Sequence, residues 1–403
     1  LIMYQNLAIL AAFVLVYSAV AGRLEKTPIS GAIVAMGFGL VCGPLGLRIF
    51  TPHVDGELLR TLAELTLALV LFTDAANANL SVLKRSRQLP GRLLLIGLPL
   101  TILLGFGIGI LVFPGMGLFE LAVLATMLAP TDAALGKAVV TNPAVPAALR
   151  EGLNVESGLN DGICVPILFV FLALASRATV NESGFQLALV LVAQQIGIGL
   201  AVGIGLTAAA GWILKRCAQR NWITETWRQL PVVALAFVCF AAAQVLGGSG
   251  FIASFTGGLL FGALAKEHKH DLLRAAEGAG DTLSLATWMS FGAAVVGQVI
   301  WEFSWPILMY SLLSLTVVRM LPVYLSLAGS SLKPGSRLFL GWFGPRGLAT
   351  VVFAVIVLNH NLPGGHELAL TAACTVILSI LAHGFSANPL AASLGAREVS
   401  RAE

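Results

Sequence analysis

Two short acidic segments stand within apolar sequence, and their residue types could bind and release cations. One is residues 156–162 (ESGLNDG), which place two carboxylates, a hydroxyl and an amide in a hydrophobic run. The other is residues 129–132 (APTD), upstream of it. A charged side chain at bilayer depth costs roughly 2.5–3.5 kcal/mol on insertion scales, so such groups usually mark an ion or proton path. The two segments therefore indicate a path for cations or protons.

The composition indicates that these segments lie in a membrane. Of the 403 residues, 57% are hydrophobic and 11% are charged, whereas about a quarter of a soluble domain is charged. The 43 glycines suit close helix packing in lipid. The five cysteines show neither CxxC spacing nor a disulfide framework, which favours small core residues. We predict an all-α polytopic membrane protein with one membrane domain over residues 1–403, no soluble regulatory domain and no nucleic-acid partner.

The apolar runs give the number of membrane spans. Crossing the hydrocarbon needs roughly 17–25 residues, and the predicted spans are 6–22, 28–44, 57–77, 91–113, 118–141, 151–176, 185–214, 230–246, 250–265, 282–301, 304–329, 336–359 and 367–394. Lysine and arginine concentrate in the loops after odd-numbered spans, with Arg48 and Arg177 as exceptions. The positive-inside rule then predicts thirteen spans, an outer N-terminus and a cytoplasmic C-terminus in the cell membrane.

Two of these spans contain proline beside a charge. Pro130 precedes Thr131 and Asp132 in span 5, and Pro345 precedes Arg346 in span 12. Proline removes an amide donor, so both helices are expected to break there. Read as six spans, a linker span (185–214) and six spans, the chain has repeat-like halves at about 6–176 and 230–394. Equivalent broken helices in two halves point to a transporter site between inverted repeats.

The chain resembles the monovalent cation:proton antiporter superfamily, specifically its NhaP-type and sodium/proton-exchanger branch. The segments that carry the resemblance are 72–75 (FTDA), 129–132, 156–162, Arg319 and 344–347 (GPRG). The resemblance implies a thirteen-helix inverted repeat in which the two discontinuous helices, spans 5 and 12, cross near the ion site. It also implies a dimerisation part, a mobile core and a homodimer. The expected protein is a transporter with no enzymatic activity and no cofactor.

The resemblance also assigns the site. Asp161 would be the carboxylate that exchanges a cation for a proton, and Asn160 before it resembles the branch that exchanges one cation for one proton. The further residues of the predicted cation site are Thr131, Asp132, Ser157, Asn160 and, from span 3, Asp74. Glu156 would form a structural ion pair with Arg319 in span 11.

Elementary chemistry agrees with these roles. Positions 157 and 161 are four apart and share one helix face. Carboxylates, hydroxyls and carbonyls freed by an unwound segment are oxygen ligands of the kind that sodium prefers. Removing a carboxylate from water disfavours its charged form, so protons compete with sodium for it, and a nearby ionised Asp132 would make the two carboxyls titrate jointly. That competition would couple the two fluxes.

Several other charged residues receive plainer interpretations. Arg346 is expected to satisfy span-12 carbonyls or an acidic group near the crossing. Arg60 and Glu64, four apart near the outer end of span 3, predict an interfacial ion pair. His268 and His270 are interpreted as solvated loop residues rather than pH sensors.

The leading hypothesis is antiport of Na⁺ or Li⁺ against H⁺ by alternating access, which would serve pH homeostasis. A K⁺/H⁺ antiporter or an organic-anion symporter of the same fold stays open as an alternative. An intramembrane aspartyl protease using Asp132 and Asp161 is remote, because the sequence around Asp161 is not of the GxGD type.

Overall fold

The computed structural model describes residues 2–24, 27, 29–50, 56–78, 89–132, 135–140, 142–176, 182–265 and 269–399. All regular structure within these ranges is helical, and helices lie on all thirteen predicted spans. The predicted fold class is therefore confirmed. By length and composition, seven of the helices can cross a membrane, and four shorter ones are also apolar.

The helices are labelled here by span. They are α1 (Ile2–Leu24), α2 (Gly31–Cys42), α3 (Gly56–Asn77), α4 (Leu89–Val112), α5a (Leu118–Met127), α5b (Lys137–Val140), α6 (Ala147–Ser176), α7 (Glu182–Gln219), α8 (Leu230–Val245), α9 (Gly250–Leu264), α10 (Lys269–Ser290, continued by Phe291–Val296 and Gly297–Val299), α11 (Trp305–Leu315 and Val317–Ser326), α12a (Pro334–Trp342), α12b (Leu348–Asn359) and α13 (Gly365–Val399).

The helices pack as two neighbouring groups. In one, α3 contacts α8, α9 and α10, while α7 packs on α9 and α2 packs on α10. In the other, α4 and α6 contact α5a, and α13 contacts α11 and α12b. The groups meet where α3 contacts α6 and α12b, and where α9 contacts α6. The broken helices therefore belong to one group, and α3 of the other group lies against α12b and α6.

Glycine permits the closest approach between α3 and α9. A Cβ atom at Gly258 would overlap the backbone of Phe72, and one at Gly262 would overlap the backbone of Ala76. Small residues at four-residue spacing let two helix backbones touch, which is a common way to associate helices in lipid. This contact fixes α3 on α9 within the first group.

Some helix irregularities were not predicted. Residues Leu93–Gly97 of α4 and Phe291–Val296 of α10 form π-helical turns. The helix of span 11 is interrupted at Thr316, whose ψ is −91°. Apolar periodicity carries no signal for such local changes of hydrogen bonding.

Candidate functional site

The breaks in α5 and α12 lie against each other. Helix α5a ends at Met127 and α12a ends at Trp342. The amide of Asp132 donates to the carbonyl of Pro345 at 2.8 Å, so the two unwound segments share a backbone hydrogen bond. Each break contains a proline, Pro130 in one and Pro345 in the other, and the two breaks meet at one crossing.

Each broken helix caps the other at this crossing. The Arg346 guanidinium donates through Nη1 to the carbonyls of Ala129 and Pro130, beyond the end of α5a. In the opposite direction, Asp132 Oδ2 accepts from the amide of Leu348, the first residue of α12b, at 2.9 Å. A cation at a helix C-terminus and an anion at a helix N-terminus both oppose the helix dipole. This mutual capping also satisfies backbone groups that a broken helix leaves without partners.

These contacts correct one expectation. Arg346 was predicted to satisfy carbonyls of its own span or an acidic group, but its guanidinium bonds to the carbonyls of span 5. The reason is geometric, because Arg346 lies in the unwound segment between α12a and α12b, and this segment crosses the chain just beyond the end of α5a. The Asp132 side chain likewise serves as a cap, and its Oδ1 accepts from the amide of Leu135 at 3.2 Å.

A cluster of buried oxygen atoms lies beside the crossing. The Thr131 hydroxyl is 2.9 Å from the Ser157 hydroxyl, and Asn160 Nδ2 donates to Thr131 Oγ1 at 2.6 Å. All three side chains are buried. The structure therefore brings the predicted span-5 and span-6 ligands into direct contact, with α6 supplying two of them from one face.

Asp161 lies one helix turn after Ser157 on α6 and has spare acceptor capacity. Its side chain is 8% exposed, and its Oδ1 has no hydrogen-bond partner among the described residues. The Oδ1 of Asn160 likewise has no hydrogen-bond partner among the described residues. A buried acceptor without a partner costs about 1–3 kcal/mol, and each such group in a native structure calls for an explanation. A bound cation or proton would satisfy these atoms.

Asp74 faces this site from α3. A Cβ atom at Gly158 would lie 3.3 Å from the carbonyl oxygen of Asp74 and 3.7 Å from its Cβ, so α3 and α6 touch there. Asp74 therefore lies beside the part of α6 that carries Ser157 and Asp161. Among the described residues, no group of three or more His, Cys, Asp or Glu has the arrangement of a metal-binding cluster.

Glu156 takes no part in the oxygen cluster. It pairs with Arg319 of α11 through Nη2–Oε2 at 2.8 Å and Nη1–Oε1 at 2.6 Å, and both side chains are at most 1% exposed. The pair ties α6 to α11 across the second helix group. In the first turns of α3, Arg60 and Glu64 lie 2.6 Å apart, which is the predicted pair.

Other residues were missed or lie outside the described part. Ser379 of α13 accepts the amide of Arg346 at 2.7 Å, and His383 contacts Ser379 and the carbonyl of Trp342. Neither Ser379 nor His383 was among the residues predicted for the site. His268 and the side chain of His270 lie outside the described residues.

The crossed broken helices and the buried carboxylate define the chain as a membrane protein of the inverted-repeat architecture that secondary transporters use. The family model "Sodium/hydrogen exchanger, transmembrane" matches residues 9–393. The chain therefore belongs to the sodium/hydrogen exchanger family, a family of transporters rather than enzymes, whose ions are substrates rather than cofactors.

Individual relatives are distant. A protein named K(+)/H(+) antiporter NhaP2, from Shewanella sp. strain ANA-3, is 24% identical over 65% of this chain and 45% of its own length. The chain thus spans about half the length of the first curated relatives that it matches. A Na(+)/H(+) antiporter of Schizosaccharomyces pombe is 23% identical, with 91% of this chain and 85% of that protein covered.

A solved structure has the same fold. The sodium proton antiporter MjNhaP1 from Methanocaldococcus jannaschii, at pH 8, matches 98% of this chain and 100% of its own with a TM-score of 0.80. Its sequence identity is 21%, so this likeness concerns the fold.

Proposed function

We propose that this protein is a secondary antiporter that exchanges Na⁺ or Li⁺ for H⁺ by alternating access. The observation that carries the proposal is Asp161 Oδ1, a buried acceptor with no hydrogen-bond partner among the described residues. Asp161 lies on α6 one turn after Ser157 and directly after Asn160, two members of the buried cluster that Thr131 completes. A carboxylate in this position needs a positive charge, because burying an unpaired charge is costly. Either a cation or a proton supplies it.

Competition for Asp161 is the proposed coupling. A cation would take ligands from the Asp161 carboxylate and neighbouring hydroxyl and amide oxygens, and a proton would neutralise the same carboxylate. Because one group serves both ions, it cannot carry them together. As the protein alternates between conformations open to opposite sides of the membrane, it exchanges one ion for the other.

The remaining site residues have proposed roles around this carrier. Thr131, Ser157 and Asn160 are proposed as neutral ligands, since their oxygens lie in one buried cluster. Asp132 and Asp74 are proposed to border the cation, and Asp132 also caps α12b. Because Asn160 carries no charge where a second carboxylate could stand, we propose an electroneutral one-to-one exchange.

Potassium is the second candidate cation. Some relatives are named K(+)/H(+) antiporters, and one that aligns with 96% of this chain is from Alkalimonas amylolytica. An organic-anion symporter has less support, because the site offers carboxyl groups that repel anions. The aspartyl protease is not supported, since the family is one of transporters and both Asp132 carboxylate oxygens accept backbone amides.

The membrane setting is also part of the proposal. The asymmetry of lysine and arginine between loops supports an outer N-terminus and a cytoplasmic C-terminus in the inner membrane. A homodimer and a role in pH homeostasis follow from the family resemblance alone. Cysteine labelling from each side of the membrane would test the orientation.

Dye-quenching in proteoliposomes tests the proposed exchange. Na⁺, Li⁺ or K⁺ is added outside vesicles that hold a pH gradient, and cation-dependent collapse of the gradient is expected for the wild type. Asp161→Asn should abolish the collapse while the protein stays folded. Asp271→Asn is a matched control, because Asp271 is an exposed carboxylate on α10. A folded Asp161→Asn variant with wild-type exchange would refute the role of Asp161.

A voltage clamp tests the stoichiometry separately. With the membrane potential fixed by a potassium diffusion gradient, Na⁺-driven exchange should be independent of the potential. A rate that changes with the potential would show net charge movement and would refute the inference from Asn160.

A further inference from the structure

His383 is a buried, polar side chain within α13. It is 2% exposed, and its Nε2 lies 2.8 Å from the carbonyl oxygen of Trp342, at the end of α12a. Its Nδ1 lies 2.8 Å from the carbonyl oxygen of Ser379 and 3.2 Å from the Ser379 hydroxyl. The imidazole therefore joins α13 to the broken end of α12a.

The position of His383 repeats the position of Asp161. Ser157 and Asp161 are four apart on α6, and Ser379 and His383 are four apart on α13. A glycine follows directly in both cases. Helices α6 and α13 are the last spans of the two halves, so each lies one span after its own broken helix.

The contacts to the two breaks repeat as well. Thr131 directly follows the proline of the α5 break, and its hydroxyl contacts the Ser157 hydroxyl. Arg346 directly follows the proline of the α12 break, and its amide donates to the Ser379 hydroxyl. The serine in each half thus holds the residue after the proline of its own break. By this register, His383 is the counterpart of Asp161.

On this basis we propose that His383 is a positioning residue for the transport site, an inference that rests on the proposed antiport. Its Nε2–H donates to the carbonyl of Trp342 and holds the end of α12a, while Ser379 holds the amide of Arg346. The carbonyl of Trp342 also accepts from the amide of Gly344 at 2.8 Å, which its two lone pairs allow. The first half uses this helix position to bind the cation, and the second uses it to fix the crossing.

A continuous chain of contacts links His383 to the cation ligands. Ser379 bonds to Arg346, whose guanidinium bonds to the carbonyl of Pro130 at 3.0 Å. The next residue is Thr131, which contacts the ligands of α6. Loss of the His383 hydrogen bond would remove one of the two donors to the carbonyl of Trp342. The α12 break could then shift. The effect should appear in cation affinity.

The test compares variants of His383 in the purified full chain. In proteoliposomes, His383→Leu should raise the apparent KM for Na⁺ about tenfold, on the scale of a lost buried hydrogen bond, with Vmax changed less. His383→Gln, which keeps a side-chain N–H, should restore most of the affinity. His360→Leu is the control, since His360 is exposed at the end of α12b.

Several results would overturn the proposal. These are an unchanged KM in His383→Leu, a fall in Vmax alone, or a glutamine variant as impaired as the leucine variant. If His383→Leu does not fold, Ser379→Ala replaces it, with the same expected rise in KM, and an unchanged KM there counts against the proposal.

A binding measurement separates this inference from the proposed function. Stabilisation of the detergent-purified protein against heat by Na⁺ reports binding without transport. If the wild type binds Na⁺ but exchanges nothing, antiport fails, and a higher Na⁺ requirement in the His383 variants still supports the positioning role. If the variants need no more Na⁺ than the wild type, the positioning role fails.

Discussion

The ion pair of Glu156 and Arg319 gives a quantitative prediction for stability. Glu156→Gln leaves the Arg319 guanidinium buried, at 1% exposure, without its counter-charge. Removing one member of a buried pair typically costs about 3–5 kcal/mol. We expect a loss of that size in the free energy of unfolding, and a loss of transport that follows from instability rather than from cation binding.

The ion pair of Arg60 and Glu64 provides a control. Arg60 and Glu64 have the same N–O distance of 2.6 Å, but the Arg60 side chain is 44% exposed. A surface pair contributes about 0–1 kcal/mol, so Glu64→Gln should change the unfolding free energy by no more than that. The comparison therefore contrasts a buried pair that joins two helices with a partly exposed pair within one helix.

Denaturant titration in detergent micelles, followed with a thiol-reactive fluorogenic dye, measures both variants. The dye reports unfolding because several cysteines are free and buried, namely Cys42, Cys164, Cys239 and Cys374. The double variant Glu156→Leu, Arg319→Met should recover much of the loss, since apolar residues can replace a buried pair at little cost. Equal losses for Glu156→Gln and Glu64→Gln would refute the reasoning, as would a double variant no more stable than Glu156→Gln.

Three further predictions concern the crossing and the helix contacts, and the same titration measures each. Asp132→Ala removes the acceptor for the amide of Leu348 and should lower the free energy of unfolding by about 0.5–2 kcal/mol, the range for a lost helix cap. Asp132→Asn should lower it less. Equal losses of stability for the two variants would contradict the capping role. Gly347→Ala would place a methyl group against the Asp132 carboxylate and should cost about 1–3 kcal/mol; a neutral effect would show that the crossing can widen. Gly258→Ala would place a methyl group against the backbone of α3 and should cost a similar amount. Gly278→Ala, its control, meets open space and should be neutral or stabilising. A larger loss of stability for Gly278→Ala than for Gly258→Ala would contradict the close packing.

The sequence predicted the positions of the helices because lipid imposes a simple rule. Every backbone group in the hydrocarbon must be satisfied internally, so long apolar runs become helices. Prolines beside charges then located the breaks, as observed at Pro130 and Pro345. The grouping of Ser157 with Asp161 could also be predicted from the sequence, because the two residues share one helix face.

The partners of charged groups could not be predicted in the same way. Arg346 and the carbonyl of Ala129 are 217 residues apart, and no local pattern relates them. The caps depend on how two helices cross, which is a property of the folded chain. His383 was missed for a related reason, since its spacing from Ser379 gains meaning only when α6 and α13 are compared as equivalent helices.

The reciprocal capping at the crossing has a consequence for how the chain is made. Asp132 and the amide that it caps are 216 residues apart. At about 5–20 residues per second, synthesis separates them by roughly 10–40 s. During that interval the α5 break lacks both its cap and its counter-charge, so the ion site should assemble only after α12 is inserted. Cys164, buried in the finished protein, should therefore react with thiol reagents in chains arrested before α12, and its protection at that stage would show that the first half folds alone.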